Sequence, residues 1–259
     1  MAFLRLRAGL LSFLTLLLIT ADMQPQIINN PDRNFFKSWI YESYYNEIIN
    51  TRSIYRTYKN NGYHFIGFVK EKKEVLITTQ TEGQTFKYLA ESKNRIKVFN
   101  LDTGEFICSM SLINYKNKTK LILTQGKDTT VFVPLNKRYN SPDLYLNNQM
   151  FVNDLLFSGN YKDVTGNKSF IFNSDGSLYG FDKYNYYLIP LSGSGVPFNF
   201  DTILLQEREV LPNNKFGTIK SNLILHWTNN NGNLIFYKLS ENTPDGVIAG
   251  KYLELKKMN

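Results

Sequence analysis

The sequence has few of the residues from which proteins build covalent or metal-held frameworks. Its 259 residues include one cysteine, Cys108, and two histidines, His64 and His226. A single cysteine excludes an intramolecular disulfide framework and any zinc or iron–sulfur site made from several cysteines. Two histidines leave few options for a transition-metal site, so we predict no metal and no cofactor. We expect the fold to rest on its core, for which 42% hydrophobic and 15% aromatic residues supply the material.

Long apolar runs are also scarce, and the one that exists lies at the amino end. Arg5 and Arg7 precede an apolar stretch over residues 8–19, and the small residue Ala21 follows it. This order is typical of a signal peptide, and the run is shorter than the about 20 residues of a membrane-spanning helix. We predict that residues 1–21 direct export and are cleaved near Ala21, with an uncleaved signal anchor as the alternative. The mature chain would lie in the periplasm, on the outer surface or outside the cell, without a transmembrane helix.

The balance of charge does not define a partner. The net charge of +8 falls to +6 without Arg5 and Arg7, and it is spread along the chain. Such a charge attracts an anionic partner only weakly, because salt screens the long-range attraction. Residues 55–64 mix basic and aromatic side chains, as single-strand binders do, but they form no recognised motif. We predict no nucleic-acid partner.

The spacing of apolar residues predicts one amphipathic helix near the amino end. Asn30 and Pro31 form a helix-start signal, because asparagine caps a helix and proline fits its first turn. The apolar side chains of the predicted face then recur every four residues, at Phe36, Ile40, Tyr44 and Ile48. We favour packing of this helix against a β-sheet or a barrel end over binding to a membrane surface, because its polar face is not strongly basic.

From about residue 63 onward, the pattern predicts antiparallel β-structure in two units. Short β-branched and aromatic segments alternate with polar turns at a spacing of about 8–12 residues, which is typical of a sandwich or barrel. The first series covers residues 64–69, 74–80, 85–90, 95–100, 105–112, 118–124 and 129–135, and the second covers 159–162, 168–173, 177–189, 202–207, 215–220, 222–228, 233–239 and 247–256. No helical pattern separates the segments within a series, which excludes a parallel α/β sheet.

These patterns predict four segments along the chain. They are a signal peptide (1–21), a helix plus antiparallel β unit (22–135), a linker (136–148) and a second β unit (149–259). The linker is polar, contains proline and interrupts the strand rhythm. The second unit is predicted to begin with a short helix near residues 149–157.

Three short motifs mark the start, the first hairpin and the end of the second unit. They are Gly159-Asn160-Tyr161, Asp175-Gly176 and Gly250-Lys251-Tyr252. With these motifs, residues 150–259 resemble the lipocalin-like β-barrels of exported bacterial proteins, in which a glycine-x-aromatic start and an Asp-Gly first hairpin are common. The resemblance implies that the second unit is a lipocalin-like barrel and that the protein binds a ligand or serves the envelope without catalysis. True lipocalins usually have tryptophan where Tyr161 stands.

Aromatic side chains are concentrated around residues 170–187, where alternation predicts one continuous strand over residues 177–189. Rings on one predicted face, with one ring near the chain's end, are the candidates for lining a ligand cavity. They are Phe170, Phe172, Tyr179, Phe181, Tyr187 and Phe236. Three interpretations stay open. The rings fill the barrel core, or they enclose a small apolar ligand, which an eight-stranded barrel can hold, or exposed rings form a protein-binding patch.

No pattern in the sequence predicts a catalytic residue. Strand alternation places Cys108 on one face with Phe106 and Met110, which indicates a buried structural thiol. Neither histidine stands in a motif with a serine or cysteine nucleophile.

Three hypotheses about function follow, in this order. The first is a non-catalytic exported envelope or secreted protein that binds a small apolar ligand or lipid in a β-barrel. The second is a structural or interaction module with a solid core, which contacts another envelope protein or a host surface. The third is a hydrolase whose site the fold assembles from distant residues. A barrel interior filled with side chains would count against the first hypothesis.

Overall fold

A computed structural model describes residues 30–59, 64–79, 83–135, 144–191, 200–212, 215–230, 232–241 and 247–258, and the statements below refer to these residues. The predicted signal peptide lies outside them, as does most of the predicted linker. The described chain contains sixteen strands and two α-helices, which confirms the prediction of a mostly β protein. No helix among these residues combines the length and the apolar character needed to cross a membrane.

The first eight strands form a closed antiparallel barrel. They are β1 (Trp39–Tyr41), β2 (Phe65–Val69), β3 (Glu74–Thr78), β4 (Gly83–Ser92), β5 (Arg95–Asn100), β6 (Phe106–Tyr115), β7 (Lys118–Gln125) and β8 (Asp128–Pro134). Period-two alternation along these strands sends apolar side chains into the barrel. Strand β1 closes the barrel by pairing with β2 on one side and with β8 on the other, where Ile40 lies opposite Val133.

Strand β1 occupies the middle of the segment for which the sequence predicts one helix. The segment contains a 3-10 helix (Arg33–Phe36), then β1, then helix α1 (Glu42–Thr51). The side chain of Asp32 caps the 3-10 helix by accepting the backbone N–H of Asn34 at 2.8 Å. The α-helix predicted from Asn30 therefore begins only at Glu42, because residues 39–41 form ladder hydrogen bonds with two neighbouring strands.

The other eight strands form a second antiparallel sheet that is nearly closed. They are β9 (Gly159–Asp163), β10 (Ser169–Phe172), β11 (Leu178–Tyr179), β12 (Tyr186–Leu188), β13 (Thr202–Leu211), β14 (Lys215–Asn230), β15 (Asn233–Leu239) and β16 (Ile248–Lys257). Their order is β11-β10-β9-β16-β15-β14-β13-β12, so β11 and β12 are the edges. The edges meet through an isolated bridge between Ser177 and Tyr186. Helix α2 (Leu144–Leu156) precedes β9 and begins within the predicted linker.

A glycine turn divides the strand predicted over residues 177–189 into β11 and β12. Gly180 has a φ of +94°, and a Cβ at this position would lie 2.2 Å from the backbone oxygen of Ser169. The alternation of side chains is interrupted at this residue. Tyr179, before the turn, is exposed, whereas Phe181, after it, contacts the ring of Phe170. The prediction of one continuous strand was wrong, because a turn with positive φ leaves no trace in hydrophobic alternation.

Strand β1 and helix α1 tie the two units together. Trp39 lies in the core of the first barrel, whereas its neighbour Ile40 points to the other side and joins a second core. Tyr44 and Ile48 of α1 belong to that second core, together with Phe157 and other buried side chains of the second unit. The first unit therefore contributes apolar side chains to the core of the second.

A carboxylate from the second unit adds a polar contact across the same junction. Asp201 precedes β13, and its Oδ1 accepts the backbone N–H groups of Ile54 (2.7 Å) and Tyr55 (2.8 Å), where a 3-10 helix (Tyr55–Lys59) begins. Such N–H groups have no partner within their own helix, so the carboxylate acts as a cap. Burial raises the pKa of the Asp201 carboxyl, although a hydrogen bond with Ser53 and the two backbone hydrogen bonds oppose the rise.

Replacement of Gly180 with alanine tests whether this turn shapes the second sheet. The new Cβ meets a backbone oxygen and an unfavourable φ, so we expect Gly180→Ala to lower the unfolding free energy by about 2–5 kcal/mol. Gly166→Ala is the matched control, since Gly166 also has a positive φ (+74°) but no described atom within 4 Å of its Cβ position. We expect this control to lose only about 1–2 kcal/mol. Equal losses in urea unfolding would contradict this role of the turn.

The Asp201 contact predicts a dependence of stability on pH. Because its pKa is raised, the folded state binds this proton more tightly than the unfolded state does. The contribution of Asp201 to stability therefore falls as the pH rises from its ordinary pKa through its native pKa. Asp201→Asn keeps an oxygen acceptor without the charge. We expect the unfolding free energy of the wild-type protein, relative to this variant, to decline as the pH rises above the ordinary aspartate pKa of about 3.9. An increase would show that the native site stabilises the carboxylate.

Candidate functional site

Most of the aromatic side chains predicted to line a cavity fill the core of the second sheet. Phe170, Phe172, Tyr187 and Phe236 are buried. The ring centroid of Phe172 lies 5.2 Å from that of Tyr187 and 6.2 Å from that of Phe236. Separations of this size are those of aromatic rings in direct contact. The structure therefore places all four rings in one hydrophobic core, in which Phe172 contacts both Tyr187 and Phe236.

Three further rings, absent from the predicted set, complete this core. Phe157 directly follows α2, and its ring centroid lies 4.6 Å from that of Trp227 in an edge-to-face arrangement. Tyr161 donates its hydroxyl hydrogen to the backbone oxygen of Phe157 at 2.7 Å, and burial raises the pKa of Tyr161 to about 12. Phe157 lies in the segment predicted as a short helix, so strand alternation gave no signal that its ring belongs to the core of the second sheet.

The remaining two predicted residues take different positions. Tyr179 is 58% exposed on β11, where it lies opposite the exposed side chain of Ile171. Phe181 is partly buried, with its ring centroid 4.9 Å from that of Phe170 and 6.0 Å from that of Phe172. The glycine turn between them ends the alternation that grouped them in the sequence. Tyr179 therefore lies outside the aromatic cluster, and Phe181 lies at its edge.

Phe181 also lines a cleft at the end of the second sheet that carries the β9–β10 turn. Helix α2 lies towards the other end of β10, where the Asn153 amide donates to the backbone oxygen of Ser174 at 2.9 Å. The cleft has a volume of about 560 Å³, which is within the range of small-molecule sites. We call it the mouth cleft, and its apolar wall consists of Phe170, Phe181, Leu223 and Leu253, beside the rings of Tyr184 and Tyr252.

Two aspartates at the rim of the mouth cleft are engaged by groups of the protein itself. Asp182 Oδ1 lies 2.6 Å from Lys168 Nζ in an exposed ion pair. Asp163 accepts hydrogen bonds from the hydroxyl of Thr165 at 2.8 Å and from the backbone N–H of Asn167 at 2.9 Å. The hydrogen bond from Thr165 is the largest cause of a lowered pKa for Asp163, and hydrogen bonds from backbone N–H groups lower this pKa further. Neither carboxylate is therefore directed at the apolar wall as a free acceptor.

Two lysines at the same rim stand over tyrosine rings. Lys183 Nζ lies 5.1 Å from the ring centroid of Tyr184, and Lys238 Nζ lies 5.3 Å from that of Tyr252. Both distances are within the range of cation–π contacts. Within the described part of the chain, no carboxylate forms an ion pair with either ammonium group. The mouth cleft therefore combines an apolar wall with two positive charges at its rim.

Cys108 lies far from this cleft in the sequence and belongs to the core of the first barrel. It is 1% exposed, and burial raises the pKa of its thiol to about 12. Met110 is buried with it, as predicted, but Phe106 is 49% exposed. The reason is a register shift between Val98 and Phe99 of the paired strand, which turns Phe106 to the outer face.

Both histidines lie near the junction between the units. The ring of His64 stacks on that of Tyr44, with 4.1 Å between the centroids. His226 Nδ1 lies 2.8 Å from the backbone carbonyl oxygen of Asp201, whose carboxylate binds the N–H groups of the 3-10 helix. Among the residues that the structure describes, no three histidine, cysteine, aspartate or glutamate side chains are grouped so that they could hold a metal ion.

Comparison with known proteins does not assign this chain to a family. No family model matches it, and no curated protein matches it. A barrel by itself does not define an activity, because the same fold carries many functions. The mouth cleft is therefore the feature from which a function can be inferred.

The burial of Cys108 predicts a thiol that does not react while the protein is folded. With a pKa of about 12, its thiolate fraction near neutral pH is on the order of 10⁻⁵ to 10⁻⁴. We expect a chromogenic disulfide reagent to leave the native protein unlabelled and to label one thiol per chain in guanidinium chloride. Rapid labelling of the native protein would indicate an accessible, activated thiol and would favour a catalytic role for Cys108.

Proposed function

We propose that the protein is a non-catalytic exported protein that binds a small, largely apolar molecule at the mouth of its second barrel. The observation that carries this proposal is the position of Phe181, whose ring packs against the aromatic core and also lines the mouth cleft. A ligand in the cleft would contact a ring that the core already holds in place. Small-molecule sites usually combine such an apolar wall with a few polar groups.

The filled core favours a ligand at the mouth over a ligand in the interior. A molecule inside the barrel would have to displace rings such as Phe172 and Tyr187, which are buried and in mutual contact. Loss of a packed aromatic ring costs about 3–5 kcal/mol, which a small ligand would first have to offset. The mouth cleft requires no such rearrangement. The proposal therefore keeps a small apolar ligand or lipid as the partner and moves its site from the interior to the rim.

The contacts of the reactive side chains support a protein that acts by binding. The thiol of Cys108 is buried in the first barrel, where its raised pKa opposes formation of a nucleophilic thiolate. His226 makes its hydrogen bond with a backbone oxygen, and the Asp201 carboxylate caps a helix. The Asp201 carboxylate contact joins the two units and the His226 contact lies within the second unit, so both support a structural role.

Export is the proposed setting for this binding. Its support is the order of basic, apolar and small residues over positions 1–21, which is that of a signal peptide. The resemblance of residues 150–259 to lipocalin-like barrels of exported bacterial proteins supports the same setting. The periplasm, the outer surface and the medium all fit this proposal.

A second candidate function, contact with a protein partner, is favoured by one observation. Strands β13 and β14 extend beyond their other neighbours in the sheet. The pairing of β13 with β12 ends at Gln206, and the pairing of β14 with β15 ends at Leu225. Beyond these points, residues 207–211 of β13 and 215–221 of β14 still pair with each other. On this two-stranded ribbon, Val210 is 59% exposed and Ile219 is 47% exposed. Exposed apolar side chains on strands with an open edge can bind another protein. The partner would be another envelope protein or a host surface.

Titration with the neutral fluorescent probe phenylnaphthylamine tests binding at the mouth cleft. We expect one site per chain in the wild-type protein. Phe181→Glu places a carboxylate in the apolar wall, where a charge without a partner is unfavourable, so we expect about tenfold weaker binding. Tyr179→Glu is the matched control, because Tyr179 is two residues away and faces solvent. We expect it to change the affinity by less than about twofold.

A second variant keeps this test informative if Phe181→Glu does not fold. Leu253→Glu introduces the same charge from a different strand of the cleft, and it should weaken binding in the same direction. Circular dichroism and thermal melting establish which variants are folded. Unchanged affinity in a folded Phe181→Glu or Leu253→Glu variant would show that the probe binds elsewhere, and the proposed site would then be rejected.

A further inference from the structure

We infer that the mouth cleft selects an anionic amphiphile, whose carboxylate, sulfate or phosphate group lies between Lys183 and Lys238 while its apolar part lies against Phe181. This inference rests on the proposed function, because it names the class of ligand for the same cleft. It goes beyond that function, which an uncharged molecule would satisfy equally well.

Three lysines and two aspartates line the cleft, so its charged side chains carry a net formal charge of +1. Asp182 already has a partner in Lys168, whose Nζ lies 2.6 Å from its Oδ1. Asp163 is held by hydrogen bonds within its own turn. Lys183 and Lys238 form no ion pair with any carboxylate that the structure describes. An anion at the rim would supply that partner, whereas a cation would meet two ammonium groups.

Aromatic rings position these two ammonium groups. Lys183 lies over Tyr184 and Lys238 lies over Tyr252, at 5.1 and 5.3 Å from the ring centroids. A cation–π contact restrains a flexible lysine side chain but leaves its N–H groups available as donors. Both tyrosines and both lysines line the mouth cleft. The two lysine side chains therefore end in the same part of the rim.

The tyrosines add neutral donors to the charged ones. Burial raises the pKa of the Tyr252 phenol, so its hydroxyl stays protonated at neutral pH and can donate a hydrogen bond. Tyr184 lines the cleft beside it. Hydrogen bonds from a protonated lysine to an oxyanion are roughly twice as strong as bonds between neutral groups. Ammonium and phenol groups together fit the oxygen atoms of a carboxylate, sulfate or phosphate.

The apolar wall argues against an inorganic anion as the ligand. Leu223 and Leu253 line the same cleft as Phe181. A bare phosphate or sulfate ion would leave these side chains in contact with water, whereas an alkyl or aryl group would cover them. A free organic acid and the head region of an anionic lipid share this chemistry, so both are sources of such a ligand.

A matched pair of fluorescent probes tests the inference on the purified full chain. Phenylnaphthylamine is neutral, and anilinonaphthalene sulfonate has the same ring system with one sulfonate group added. We expect the sulfonate probe to bind the wild-type protein about tenfold more tightly, and added salt to reduce this advantage. The double variant Lys183→Glu with Lys238→Glu should abolish this advantage, which is measured as the ratio of the affinities for the two probes, so that the sulfonate probe binds no more tightly than the neutral one.

A second double variant controls for the change in net charge. Lys116→Glu with Lys118→Glu makes the same change on the first barrel, where both residues line a separate cleft of about 930 Å³. We expect this variant to keep the preference for the sulfonate probe. If the Lys116→Glu, Lys118→Glu variant lost that preference while the Lys183→Glu, Lys238→Glu variant kept it, the assignment of the anion site to the mouth cleft would be overturned.

The other outcomes separate this inference from the proposed function. Equal affinity of the wild-type protein for both probes would overturn the selection for anions and leave the proposed function standing. Failure of both probes to bind would overturn the proposed function as well. Displacement of the sulfonate probe by dodecanoate but not by dodecanol supports a free amphiphile, and displacement only by vesicles that contain phosphatidylglycerol supports a lipid. Equal displacement by dodecanol and dodecanoate would contradict the inference.

Discussion

The strand that closes the first barrel also joins it to the second unit, and much of the architecture depends on this double role. In β1, Trp39 packs inside the first barrel, and Ile40 packs in the core that α1 shares with the second unit. The backbone of the same short strand pairs with β2 and β8. Since the chain has one cysteine, no disulfide within it can substitute for this packing. A change in β1 would therefore act on both units.

The shared core also accounts for the position of the candidate site. Helix α2 leads to Phe157, which packs against Trp227 in the core of the second, nearly closed sheet. The mouth cleft lies towards the end that carries the β9–β10 turn, and Phe181 connects it with the filled core. A filled core is therefore compatible with binding, because its packed rings hold Phe181, one wall of the cleft, in place before a ligand arrives.

Alternation and turn residues located most strands, because they record local preferences. The predicted segments 118–124 and 129–135 lie close to β7 and β8. Strand β1 was missed because its residues also fit a four-residue helical spacing, and only pairing with distant strands makes them extended. The alternation of side chains identified Phe170 and Phe181 as members of one face. It wrongly added Tyr179 to that face, because hydrophobic alternation carries no signal for the turn at Gly180. The lysines of the mouth cleft come from separate strands and turns, so only the folded sheet brings them together.

A crystal structure of the protein with anilinonaphthalene sulfonate locates the bound molecule independently of affinity and so tests whether the mouth cleft is the binding site. We predict that the naphthalene ring contacts Phe181 and that the sulfonate lies between Lys183 and Lys238, with the rings around Phe172 still packed against one another. A probe bound among those core rings, or in the cleft lined by Lys116 and Lys118, would show that the mouth cleft is not the binding site.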